Sequence, residues 1–258
     1  DNLCACIGES LSDTSPDALS AARDQRYLSR KVNCDCHVTN LSGNFALVSD
    51  ASSDAEYAEV MGITSNIDKN GIAEVVMDCP PVNALTVAEW FEVADTVTAL
   101  GRNTSVRVVV LRAEGRGFNA GVDIKEMQKT EGFEALLGAN KGCYAAFAAV
   151  YDCPVPVISA VAGFCVGGGI GLVGNSDIII ASDDAFFGLP EVDRGALGAA
   201  THLARLVPQH KMRAMVYTSA TATAAELHAF GSVLQVVPRS ELRDAAMKVA
   251  QSIADKHP

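Results

Sequence analysis

Three groups of residues have types and spacing that suit chemistry. They are "GFCVGGGIGLVG" (Gly163 to Gly174), "GRGFNAGVDIKEM" (Gly115 to Met127), and the acids Glu191 and Asp193 of "FGLPEVDR". Glycine-rich turns let backbone N–H groups point at a ligand. Two such turns, each following a buried strand, can pair their donors around a developing oxyanion. In the Gly163 segment the donor would open a short helix, whose partial positive end adds to the effect. A carboxylate within reach can act as a general acid or base. Taken alone, a Glu after Pro at a strand end is more often a solvated loop acid.

The glycines have a rival use. Gly169-Ile170-Gly171-Leu172-Val173-Gly174 spells G-x-G-x-x-G, with the strand-like "VPVISAV" before it and Glu191 beyond it as a ribose acid. A dinucleotide fold needs a full crossover helix in a βαβ unit of about 30 residues. Here only the seven residues Ile170 to Ser176 separate Gly169 from the next strand, "DIIIAS". That is barely two turns, and Glu191 falls well past the end of that strand. A dinucleotide site is excluded on geometry.

The elements that must position these groups alternate from Met61 onward. "IAEVVMDC", "VRVVVLRAE", "VPVISAVAGF", "DIIIAS" and "LQVVP" read as strands. Between them, "VAEWFEVADTVTAL" reads as an amphipathic helix with Trp90, Phe91, Ala94, Val97 and Leu100 on one side, and "GANKGCYAAFAAVYDC" as an alanine-rich helix. Further helices are expected after the glycine cluster, across 200–218 and 223–230, and at "SELRDAAMKVAQSIADK". The alternation predicts an α/β fold with largely parallel strands. Residues 1–60, rich in Ser, Asp and Ala, show no sustained period and read as an unassigned leader, disordered or an upstream extension of the reading frame.

The chain has 258 residues, 49% of them hydrophobic, enough for one globular domain with or without an appendage. Twenty basic against 31 acidic residues, a net charge of -11, argue against a nucleic-acid groove. No run is long enough for a membrane span, and no basic-then-apolar leader opens the chain. Cys79, Cys143, Cys153 and Cys165 sit in apolar runs and read as reduced core thiols of a cytoplasmic protein. The pairs Cys4/Cys6 and Cys34/Cys36 lack zinc-site spacing, so no metal is expected.

Across 61–258 the chain resembles the crotonase (enoyl-CoA hydratase/isomerase) superfamily. "GRGFNAGVDIKEM" is similar to its G-x-x-F-x-A-G-x-D-[IL]-x-E-M signature, and "AVAGFCVGGGIGLVGNSD" with "FGLPE" to its second glycine motif and the stretch after it. The resemblance implies a ββα spiral core and a homotrimer or dimer of trimers. Its oxyanion-hole amides fall on Val122 and Gly168, and its CoA pocket on the backbone around Ala120, Asp123 and Ile124, with Gly167 beside them. The substrate implied is an acyl-CoA thioester, with no further cofactor. Asp123 also suits a helix cap for "DIKEM", His202 reads as a packed or surface histidine, and Tyr144 and Phe147 as a roof of the acyl pocket or as core.

The family's hydratases use two glutamates. One falls on Glu191 and the other on Gly171, while the isomerase acid falls on Ala199. Ordinary hydration, which wants an acid and a base on one water, therefore lacks a group. The same stretches, with "FGLPEVDRGALGAATHLARLVPQH", most resemble the branch that hydrolyses a C–C bond of a bicyclic diketone CoA ester in bacterial steroid breakdown. There Glu191 would activate the water, with Asp193 as second candidate, and the bare Gly171 would leave room for a fused ring. A hydratase or isomerase, or a non-catalytic acyl-CoA binder, is the alternative. The chain stops at Pro258, where about two further helices are expected from the family, so the domain over 61–258 reads as C-terminally incomplete.

Overall fold

The computed structural model describes residues 62–130, 132–196 and 198–257. The expected leader over residues 1–60 and the pairs Cys4/Cys6 and Cys34/Cys36 lie outside the described residues.

A hairpin opens the described chain. Strands β1 (Gly62–Ile67) and β2 (Ile72–Asp78) pair antiparallel. The Asp68 carboxylate accepts from the backbone N–H groups of Asn70 and Ile72 at 2.8 and 2.9 Å, and Gly71 takes the left-handed conformation that closes the turn. After a two-residue strand β3 (Ala84–Leu85) comes α1 (Val87–Arg102). Thr86 and Glu89 form a capping box there, satisfying N–H groups that the helix leaves open. Then follow β4 (Val108–Ala113), β5 (Gly121–Val122), α2 (Ile124–Lys129), α3 (Glu134–Tyr151), β6 (Val157–Val161), β7 (Phe164–Val166) and α4 (Gly168–Val173). The chain continues through β8 (Ile178–Ser182), β9 (Phe186–Gly188), a 3-10 turn (Pro190–Arg194), α5 (Ala200–Leu203) and α6 (Gln209–Thr218). It closes with β10 (Thr221–Thr223), α7 (Ala224–Ala229), β11 (Gln235–Val237) and α8 (Leu242–Ala254).

The main sheet runs β1-β2-β4-β6-β8-β11, parallel from β2 onward. Because side chains alternate along a strand, Val75, Val109, Leu111 and Val161 face a core shared with α1 and α3. Ile72, Val108, Val110 and Ile158 face α8 instead. Helices on both faces are what near-continuous apolar parallel strands require. On the α8 side, Glu74 is nearly buried and is held by Arg243 at 2.7–2.8 Å and by Arg112, which keeps its carboxyl below the usual range despite burial.

A three-stranded sheet, β10-β9-β7, and the small pair β3-β5 stand apart from the main sheet. The expected strand "VPVISAVAGF" is in fact two strands in two sheets. Gly163, with φ of 58°, turns the chain between β6 and β7, where any Cβ would stand 2.3 Å from the Arg116 carbonyl oxygen. Phe91 does not share the buried stripe of α1. That stripe is Trp90, Val93, Ala94, Val97 and Leu100, and Phe91, one residue around the helix, is 39% exposed.

Candidate active site

The first glycine segment is held by two buried asparagines. Asn83 has φ of 51°, a left-handed conformation that asparagine tolerates better than most residues. Its side chain accepts from the Cys79 N–H and donates to the carbonyls of Glu114 and Gly117, each at 2.8 Å. Asn119 is fully buried, donates to the Asn83 carbonyl and accepts from the Gly121 N–H, both at 2.8 Å. The Val166 N–H reaches the Asn119 carbonyl at 3.0 Å, so the same residue ties the first segment to the strand that leads into the second. Asp123 accepts from the Lys125 N–H and caps α2, as its spacing predicts.

The two glycine segments abut. Gly121, at φ of 86°, lies so close to α4 that a Cβ there would stand 3.1 Å from the Gly168 nitrogen. Cβ atoms on Gly167 and Gly168 would stand 3.5 and 3.4 Å from the Gly121 Cα. Gly168 is the first residue of α4, where an N–H has no acceptor within the helix. Glycine at 121 therefore leaves the face of that amide uncovered. Val122, next along, packs partly buried on the core, while Ala120 is half-buried and Ile124 is 58% exposed.

Glu191 reaches this pair from the 3-10 turn. A Cβ on Gly167 would stand 3.3 Å from Glu191 Oε1, and one on Gly198 2.4 Å from the same oxygen. Glu191 Oε2 is buried without a hydrogen-bond partner among the described residues. Burial pushes the carboxyl above its ordinary 4.5, partly offset by the residue's own backbone N–H. Because the folded state holds this proton more tightly than the unfolded chain, the associated stability is full below pH 4.5 and is lost as pH rises through the raised value. Glu191→Gln should therefore raise the melting temperature above that window and leave it unchanged below. Thermal melts of both proteins on either side of the window check this, and equal melting temperatures at high pH would contradict it. Asp193, on the same turn, is exposed.

The space at Gly171 is not open. A Cβ there would stand 2.1 Å from Cζ of Phe147, so the aromatic ring from α3 occupies the side-chain volume that the bare glycine was expected to leave for a fused ring. Phe147 is also edge-on to Trp90, with centroids 5.8 Å apart, and to His202 at 5.1 Å. Tyr144, one turn earlier on α3, is 74% exposed, so of the two aromatics it is Phe147 that meets the glycine helix. His202 is packed. Its Nδ1 lies 3.1 Å from the Asn175 amide, which also donates to the Gly171 carbonyl, and burial with the Arg205 charge lowers its pKa. Ala199, where the family's isomerase acid would fall, packs partly buried against the core.

Sequence reasoning missed three residues that build this site. Asn83 and Asn119 carry a signal only in hindsight, as polar residues inside apolar motifs. Gly198, in "GALGA", has no sequence mark, because its constraint is the carboxylate of a residue seven positions earlier.

A family model described as enoyl-CoA hydratase/isomerase matches residues 68–258. Over 196 residues the chain is 67% identical to a Rhodococcus jostii protein named (7aS)-7a-methyl-1,5-dioxo-2,3,5,6,7,7a-hexahydro-1H-indene-carboxyl-CoA hydrolase, the match covering 76% of each. A Mycobacterium tuberculosis protein of the same name is 66% identical over 196 residues, covering 76% of this chain and 79% of its own. A crystal structure of an enoyl-CoA hydratase from Bacillus anthracis has the same fold, with a TM-score of 0.72 at 27% identity over 77% of this chain and 78% of that one.

Proposed function

The chain belongs to the enoyl-CoA hydratase/isomerase family, and from that premise we propose that it hydrolyses a C–C bond of the bicyclic dioxo-indene carboxyl-CoA ester for which its two bacterial relatives are named, in steroid breakdown. One observation carries the chemistry: the Glu191 carboxylate, with a buried unpartnered oxygen, stands against Gly167 where the two glycine segments abut.

In this reaction Glu191 takes a proton from water, and the hydroxide oxygen bonds to a ring ketone carbon. The ring C–C bond then breaks, and its electron pair passes into the conjugated thioester as an enolate. The backbone N–H groups of Val122 and Gly168 hold the thioester oxygen as that charge develops, which is where preorganised donors act most strongly. Glu191 returns its proton to carbon. One water is consumed, the ketone becomes a carboxylate, and the CoA thioester survives. The raised Glu191 pKa suits both steps, since a group poised nearer neutrality can accept and then release a proton. The backbone around Ala120, Asp123, Ile124 and Gly167, with Tyr144 at the edge, binds the CoA ester. CoA is part of the substrate, and neither metal nor further cofactor enters a step. The active species is a homotrimer or a pair of trimers in the cytoplasm. Among the described residues no helix is long and apolar enough to cross a membrane.

Incubation of the pure protein with the dioxo-indene carboxyl-CoA ester should give a product one water heavier that retains CoA, read by mass. A simple 2-enoyl-CoA should be hydrated very poorly, because Gly171 carries no carboxylate and Phe147 fills its side-chain space. Release of free CoA, or robust hydration of the enoyl ester, would overturn the proposal.

A further inference from the structure

We propose that Trp90 is a positioning residue: the edge of its ring sets where the Gly168 amide stands relative to Glu191, and so governs the rate of the reaction rather than the binding of acyl-CoA. This rests on the reading of Gly168 as an oxyanion donor.

Trp90 is fully buried on the second turn of α1, where the Thr86–Glu89 capping box fixes the helix start and the Trp90 N–H bonds the Thr86 carbonyl at 3.0 Å. Its benzo edge is the wall against Gly168. A methyl carbon on Gly168 would stand 2.6 Å from Trp90 Cζ2 and 2.8 Å from Cη2, whereas the next neighbour, the Gly121 Cα, would be at an ordinary 3.4 Å. The indole is thus the group that forbids a side chain at this amide. Behind it, the ring is braced edge-on by Phe147, and Gly142 lets α3 approach until a Cβ there would stand 2.8 Å from the Trp90 Cβ. The ring is wedged between α3 and α4.

A second observation points the same way. Trp90 Nε1 is buried without a hydrogen-bond partner among the described residues, although a buried indole N–H usually finds one. A phenylalanine would avoid that unpaired donor. What indole adds is reach, and the atoms that supply the reach are those that meet Gly168.

The test is a volume-swap cycle read in kcat and KM. Trp90→Phe withdraws the edge, and Gly168→Ala pushes into it; each should lower kcat by about ten- to a hundredfold, since a misplacement near 1 Å costs on the order of a hundredfold. KM for the CoA ester should stay within about threefold, as expected where only the transition state is affected. In the double variant the new methyl takes the volume the indole edge has left, and kcat should recover about tenfold over the poorer single variant. Wild-type kcat in folded Trp90→Phe, or losses that simply multiply in the double variant, would overturn the proposal. Should Trp90→Phe not fold, Trp90→Met is read in the same way. If the wild-type protein turns over a different acyl-CoA, the functional assignment falls, while the cycle is read on that ester and still decides the role of Trp90.

Discussion

Glu191→Gln should lower kcat by about a hundred- to ten-thousandfold while the CoA ester still binds, the usual weight of one general acid–base group. The amide keeps the shape of the side chain against Gly167 and Gly198 but cannot take a proton from water. The carboxylate is suited to that role by its surroundings. Burial raises its pKa, and among the described residues no arginine or lysine offsets the effect, in contrast to Glu74, whose two arginines hold it ionised as a structural staple. Turnover and equilibrium binding, measured on the same preparation, check the prediction. A variant that keeps more than about a tenth of wild-type kcat would place the base elsewhere, with exposed Asp193 next in line.

Gly198→Ala should cost about a hundredfold in kcat with little change in stability. A methyl at 198 would stand 2.4 Å from both Cδ and Oε1 of Glu191 and 2.7 Å from Oε2. The atoms it meets are the far end of a flexible side chain, so the carboxylate swings aside and the backbone need not move. Exposed positions of this kind usually change stability by no more than about 0.5 kcal/mol, whereas displacing a reacting group by about 1 Å costs on the order of a hundredfold. Kinetics paired with chemical denaturation separate the two quantities. Unchanged turnover in the folded variant would mean that the position of Glu191 against Gly198 is immaterial to the chemistry.

The residues that were legible in the sequence are those whose constraint is local. Gly121 and Gly167 adopt positive φ, which glycine alone takes freely, so their chemistry shows in the motif itself. The parallel strands were legible because burial on both faces leaves continuous apolar runs, and the six-residue α4 because "DIIIAS" follows so soon. What was not legible depends on distant packing. Gly171 reads as empty space in sequence, yet Phe147, on another helix, fills it. Strands β3 and β5, two residues each, have no room for a period and exist because the Asn83–Asn119 pairing draws the two loops together. Phe91 reads as core from its apolar character, but α1 buries Trp90 and Val93 and leaves Phe91 at the edge.

In the proposed reaction water adds across a ring C–C bond, activated by Glu191, while the thioester stays whole. Turnover of the dioxo-indene carboxyl-CoA ester in heavy-oxygen water tests it most directly, with the product fragmented by mass spectrometry. One labelled oxygen in the newly formed carboxylate, with unlabelled thioester and no free CoA, is the predicted result. Label on a hydroxyl with both rings intact, or free CoA with label in the original carboxyl group, would contradict it.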